Sequence, residues 1–196
     1  MPGGRPRSFD ADAALDRALE VFWRQGYEGT SLSDLTEAMG INRPSLYAAF
    51  GNKEELFGRV LDRYLEGPGA FAADALEAPT GREVVERLVL GAVELTTGDH
   101  TPRGCLSVKS VHACGPDSEP VRQDAVGRRK AGEAALRRRL ERATDLPPGA
   151  DPGVMAGLVH TITDGIAVQA AGGRGREELR QVADLALRAL LGSDQR

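Results

Sequence analysis

The stretch that most constrains this chain runs from Thr30 to Phe50, TSLSDLTEAMGINRPSLYAAF. Leu32, Leu35 and Met39 recur at spacings of three and four, which marks one apolar face of a short helix. Thr30 or Ser31 can cap its start by accepting a free backbone N–H. Asp34 suits the positive end of the helix dipole, and Gly40 can take the positive φ that stops the helix. Asn42 then stands as a second cap. Pro44 falls in the first turn of a second helix, where its missing N–H costs little. Leu46 can pack back onto Leu35 with Ile41 under the turn. Asn42, Arg43, Ser45 and Tyr47 are left to point outward.

A short helix, a glycine-containing turn and a second helix with polar residues at its start make the helix-turn-helix pattern. Such a second helix fits the major groove, and its first side chains reach base edges. Arg43 can pair with guanine, Asn42 with adenine, and Ser45 with base edges or phosphate. The Tyr47 hydroxyl suits a phosphate oxygen. On the turn alone, an ordinary αα-hairpin in a helical bundle reads the same way, so the flanking residues have to discriminate.

They carry further marks. Phe22 to Tyr27 is a Phe-x-x-x-Gly-Tyr segment ending a first helix. Thr30 precedes a Leu-x-x-x-x-Gly helix at Leu35 to Gly40, Leu46-Tyr47 sits in the second short helix, and Phe50 to Leu56 is Phe-x-x-Lys-x-x-Leu. With these motifs, the run from Gly4 to Tyr64 resembles the TetR family of bacterial transcriptional regulators. The resemblance covers about a third of the chain; the rest matches only in being helical. Four residues before the turn glycine the family usually has alanine, and here it is Thr36. The resemblance implies a homodimeric DNA reader with a small-molecule effector; no cofactor is expected. It also implies a phosphate contact at Lys53, where the free N–H groups of the next helix favour anions. Arg5 and Arg7, flanking Pro6, form a basic arm that suits a narrow minor groove; a solvated tail reads identically. The expected DNA-binding set is Arg5, Arg7, Thr30, Ser31, Asn42, Arg43, Pro44, Ser45, Tyr47 and Lys53.

Composition excludes some classes. Of 196 residues, 41% are apolar but only 5% aromatic, so the core must rest on Leu, Val and Ala, as in helical bundles. The net charge of −4 argues against gripping nucleic acid by bulk charge, although a local basic footprint stays compatible. Two cysteines and no apolar run near 18 residues point to a cytoplasmic protein with no membrane partner. The basic start MPGGRPR lacks an apolar segment, so no signal peptide is expected.

Beyond the hairpin, Asp10 reads as the cap of a first helix that braces it. Leu56, Phe57, Val60, Leu61, Tyr64 and Leu65 form a stripe on a fourth helix, broken at Gly67-Pro68-Gly69. Thr80, with Glu83 three residues on, suggests a capping box before a helix apolar on a wide, deeply buried face. A short helix lies within Gly104 to Ala113. A long polar one starts at Asp117 or Ser118, and its Arg128-Arg129-Lys130 and Arg137-Arg138-Arg139 triplets read as a solvated face or an anion site. In the last two helices, Leu158, Ile162 and Ile166, then Leu179, Val182, Ala186 and Leu190, share faces. These would either finish the core or, as the resemblance implies, form a dimer interface. A two-fold dimer would read a palindrome with half-sites about one turn apart.

The expected effector pocket draws on Phe57, Leu61, Tyr64, Leu88, Leu106, His112 and His160. Cys105 and Cys114 lie near each other, with Lys109 one turn after Cys105 and His112 beside Cys114. They read as a thiol sensor, the alternative to ligand release, or as small buried hydrophobes. His100, His112 and His160 lack metal-ligand spacing with the cysteines, so no metal is expected, and no catalytic motif stands out. The expectation is an all-α protein. Residues 1–50 form a three-helix, helix-turn-helix DNA-binding domain with an N-terminal arm. Residues 51–196 form a helical effector-binding and dimerisation domain. Its partners are double-stranded operator DNA, a second copy of the chain and a small molecule. Its function is repression relieved by that molecule.

Overall fold

The computed structural model describes residues 9–99, 101–112, 115 and 118–192. Among these, ten α-helices and no strand occur: α1 Ala11–Gly29, α2 Leu32–Met39, α3 Arg43–Phe50, α4 Lys53–Glu66, α5 Phe71–Leu76, α6 Gly81–Thr96, α7 Leu106–His112, α8 Glu119–Leu140, α9 Pro152–Ala171 and α10 Arg176–Leu191. The arm residues Arg5 and Arg7, together with His100 and Cys114, lie outside the described residues.

Local chemistry sets the helix ends. Asp10 caps α1 by accepting the N–H groups of Asp12 and Ala13. Ser31, not Thr30, caps α2 in a reciprocal box with Asp34. Asn42 caps α3 by accepting from the Ser45 N–H, and Asn52 forms a second box with Glu55 at α4. Asp151 caps α9. Thr80 accepts the Glu83 N–H at α6. Gly26 breaks α1 with φ of 76°, and Gly40 closes α2 at φ 67°, a backbone conformation that costs glycine little.

The helices pack around two cores. The first joins α1 to α4, with Phe22, Leu35, Leu46, Phe57 and Leu61 at its centre, and it also takes in Leu106 of α7 and Val121 and Ala125 of α8. The second joins α6, α9 and α10 with Ala75 of α5 and with Leu136 and Leu140 at the far end of α8. Both α4 and the first half of α8 thus belong to the core of the N-terminal helices, and α8 runs from one core into the other.

Helix α9 corrects one expectation. Its 20 residues reach a mean hydropathy of 1.2 over the best window, long and apolar enough to cross a membrane. Here it packs against α6, α8 and α10, and it carries Asp164, which pairs with Arg129.

Candidate nucleic-acid interface and effector cavity

Helices α2 and α3 are fastened from beneath by two arginines. Arg17 of α1 donates to the Met39 carbonyl at 3.1 Å, and Arg59 of α4 donates to the Ala49 carbonyl at 3.1 Å. Each guanidinium meets a helix C-terminus, where carbonyls lack intrahelical partners and positive charge is favoured. Arg63 and Asp16 add a two-point ion pair between α4 and α1 at 2.7 and 2.9 Å. Sequence reasoning missed these braces, because residues far apart in the chain make each of them. Thr36 folds its hydroxyl back onto the Leu32 carbonyl at 2.9 Å. The turn still closes through Gly40 and Ile41 N–H bonds to Glu37 and Thr36.

This bracing leaves the start of α3 facing out. Ser31, Asn42, Arg43 and Pro44 are exposed, as is Tyr47 at 48%. Ser45 is half-buried. The Arg43 guanidinium donates to Ser33 Oγ at 3.0 Å, so α2 steers it. Lys53 places its Nζ 4.3 Å from the centre of the Tyr27 ring. Burial lowers the pKa of Lys53, while the Glu28 and Asp34 carboxylates oppose that shift. The Asp34 carboxyl is itself held below its ordinary value, first by the Ser31 N–H and then by the Ser31 hydroxyl. The influence of Asp34 on Lys53 places this amine near the start of α2. Thr30 is a correction: it is 1% exposed, and its hydroxyl donates to the Gly26 carbonyl at 2.7 Å. It tightens the α1–α2 link and has no surface to offer DNA.

Between the two cores, α4 to α9 line a partly open cavity of about 360 Å³. Of the expected pocket residues, Tyr64, Leu88 and His160 line it. Phe57, Leu61 and Leu106 do not; all three are buried in the first core. Apolar residues facing a cavity and residues facing a core have the same sequence signature, so the stripe on α4 could not separate them. His112 is exposed and borders a separate groove of about 410 Å³ with Cys105, Val108, Lys109, Ala167, Val168 and Ala171. The wall also includes Phe71, Arg128, Arg129, Thr163 and Asp164, which sequence reasoning did not place there. The arginine triplets are not simply solvated. Arg128 pairs with Asp62 and Asp124, and Arg129 pairs with Asp164. Arg139 donates to the Leu76, Ala78 and Pro79 carbonyls.

Cys105 lines both the cavity and the groove. The Tyr64 hydroxyl donates to its Sγ at 3.2 Å. Lys109 donates instead to the Trp23 carbonyl at 2.8 Å. On α9 and α10, Val154, Leu158, Val168, Val182 and Leu185 are exposed. Ile166 and Leu179, expected at the same interface, are 2% and 1% exposed and belong to the second core. Ile162 and Leu190 pack against that core, and Ala186 is half-buried.

Residues 14–60 match the bacterial regulatory proteins of the tetR family. The chain is 36% identical over 190 residues to the HTH-type transcriptional repressor ComR of Escherichia coli (strain K12), covering 94% of this chain and 90% of that one. The chain belongs to the TetR family. A second relative, the HTH-type transcriptional repressor BdcR of the same organism, is 30% identical over 95% of this chain and 92% of its own length. Among solved structures, the TetR-family regulator CifR superimposes with a TM-score of 0.90 at 44% identity, covering 95% of this chain and all of that one. That structure is a cysteine mutant complexed with 26-bp double-strand operator DNA. This TetR member is a sequence-specific DNA-binding regulator and not an enzyme.

Proposed function

We propose that this protein is a cytoplasmic, homodimeric repressor that holds a palindromic operator and leaves it when a small molecule fills the cavity between its cores. The observation that carries the reading is the open face of α3. Arg43 and Tyr47 stand clear of the core there, beside Asn42 and Pro44, in a chain 44% identical to a regulator solved on operator DNA. Residues 1–50 would read the DNA, and residues 51–196 would hold the effector and the second protomer. Arg43 and Asn42 would meet base edges, while Ser31, Ser45, Tyr47 and Lys53 would meet phosphates. The exposed apolar stripes on α9 and α10 support pairing with a second copy. Helix α4 supports the coupling, because it packs in the DNA-side core and offers Tyr64 to the cavity. To empty a nearly full operator, the effector must prefer the released state by roughly 5 kcal/mol.

The test is selection of bound sequences from a random duplex pool at stated, near-physiological salt. An enriched palindrome is expected. Weak, salt-sensitive binding without enrichment would overturn the reading.

A second reading keeps the operator but replaces ligand release with chemistry at Cys105. The Tyr64 hydroxyl against its Sγ, at a wall shared by cavity and groove, favours it. Under this reading, Cys105→Ser abolishes release by oxidants or electrophiles. Unchanged release would exclude it.

A further inference from the structure

The chemistry of the cavity wall narrows what can fill it. Most of the wall is apolar, with Phe71, Leu76, Leu88, Leu136 and Val159. Its arginines and its aspartate all come from α8 and α9, and each already faces an opposite charge. Arg128 binds Asp62 of α4 and Asp124 of α8, and Arg129 binds Asp164 of α9. An anionic head seated here would compete with the three carboxylates that already hold these two guanidinium groups. Displacing one of them would leave that carboxylate without its partner, at a cost in free energy. A cationic head would have to draw Asp164 from Arg129 and would leave that guanidinium without its partner.

What the wall does offer is neutral. The Tyr64 hydroxyl donates to Cys105 and keeps oxygen lone pairs that can accept. The Thr163 hydroxyl, which donates to the His160 carbonyl at 3.0 Å, can do the same. Burial, and then the Arg129 guanidinium, lower the pKa of His160. Both effects favour the neutral imidazole, which has one donor and one acceptor nitrogen.

We infer that the effector is an uncharged, largely apolar small molecule with one or two hydrogen-bonding groups, seated with those groups toward His160 and Thr163. The inference rests on the cavity being the effector site.

Two fluorescent probes with the same ring body test it: N-phenyl-1-naphthylamine, which is neutral, and 8-anilinonaphthalene-1-sulfonate, which adds one anionic group. Each is titrated into the full chain at pH about 7.5. The binding counted is the part removed by a cavity-filling variant, Ala92→Phe, with Gly132→Leu as a second in case the first does not fold. The neutral probe is expected to bind at least about tenfold more tightly. Greater apolarity alone could give that ratio, so Asp164→Asn decides. It leaves Arg129 without its acid, so it should raise sulfonate affinity about tenfold and shift the neutral probe by less than about twofold. Equal binding of both probes to the wild type, or no gain for the sulfonate in Asp164→Asn, would overturn the inference while leaving the cavity as a site. If neither probe responds to the filling variants, the effector-site reading falls, and the inference falls with it.

Discussion

The indole of Trp23 meets the ring of Tyr64 edge-on, with centroids 4.9 Å apart and planes at 88°. Trp23 belongs to α1, which braces the reading helices, and Tyr64 forms part of the cavity wall. The indole N–H also donates to the Gly104 carbonyl at 2.9 Å, and both residues are buried. One aromatic contact thus joins the DNA-side core to the cavity and to the loop that precedes α7.

Trp23→Phe should therefore loosen that junction measurably. The ring remains, but the buried Gly104 carbonyl loses its donor, and an unsatisfied buried acceptor costs about 1–3 kcal/mol. Urea unfolding should show a loss in that range, with α1 still helical by circular dichroism. Unchanged stability would mean that the carbonyl finds water or another donor.

The DNA contacts should divide by kind. Arg43, steered by Ser33, is placed to read a base. Arg43→Ala should cost about 1–3 kcal/mol on the selected operator and relax the preference at one position of each half-site. Lys53 is placed for phosphate, so Lys53→Gln should weaken binding to all duplexes alike and reduce the slope of log K against log salt by about 1. Binding isotherms at three salt concentrations separate the two. A Lys53 variant with altered sequence preference would contradict the assignment.

His160 should leave a mark on stability against pH. Its folded pKa is lowered, first by burial and then by Arg129, with Asp164 and Glu133 acting in the opposite direction. As pH falls through the ordinary histidine value of about 6.5, the unfolded chain takes up its proton before the folded protein does. The stability due to neutral His160 is fully present above that value and is lost as pH falls toward the folded one. Unfolding free energy should decline between about pH 7.5 and 5.5, and His160→Gln should remove up to ~1.4 kcal/mol per pH unit of that slope. An identical slope in the variant would show that other groups carry it.

The parts of this architecture legible in the sequence are those set by neighbours in the chain. Ser31 with Asp34, Asn42 with Ser45, and Gly40 at positive φ all act within a few residues, and so the helix-turn-helix reads directly. Thr30 misled because a hydroxyl at a helix start looks the same whether it caps, faces solvent or folds back onto Gly26. The cavity was mostly hidden. Helical spacing places Phe57, Leu61 and Tyr64 on one stripe, but only the end of α4 passes the cavity, so Tyr64 alone of the three reaches it. Arg129 and Asp164 are joined by packing of α8 on α9, which no local pattern encodes. At the expected interface, the four-residue rhythm selected Ile166 and Leu179, which the core claims, and it passed over Val168 and Leu185, which face outward.

Those outward residues carry the last prediction. Leu185 is 62% exposed on α10, and Val154 is 71% exposed on α9. Along α9, Val154, Leu158 and Val168 keep helical spacing on one side, while Met155, Ala156 and Val159 hold the other side in the core. Leu185 is largely exposed in the protomer, so a charge there, as a surface change, should alter protomer stability by no more than about 0.5 kcal/mol. In a dimer, the same charge would enter an apolar interface without a partner, and an unpaired buried charge is strongly destabilising. Leu185→Glu should therefore yield a folded monomer by light scattering at micromolar concentration. It should also bind a single half-site about as weakly as the full palindrome. If the variant stays dimeric, the two protomers meet elsewhere, and the exposed stripe on α9 and α10 needs another explanation. If it unfolds, Leu185 supports the protomer itself, and Val154→Glu becomes the cleaner probe of the same face.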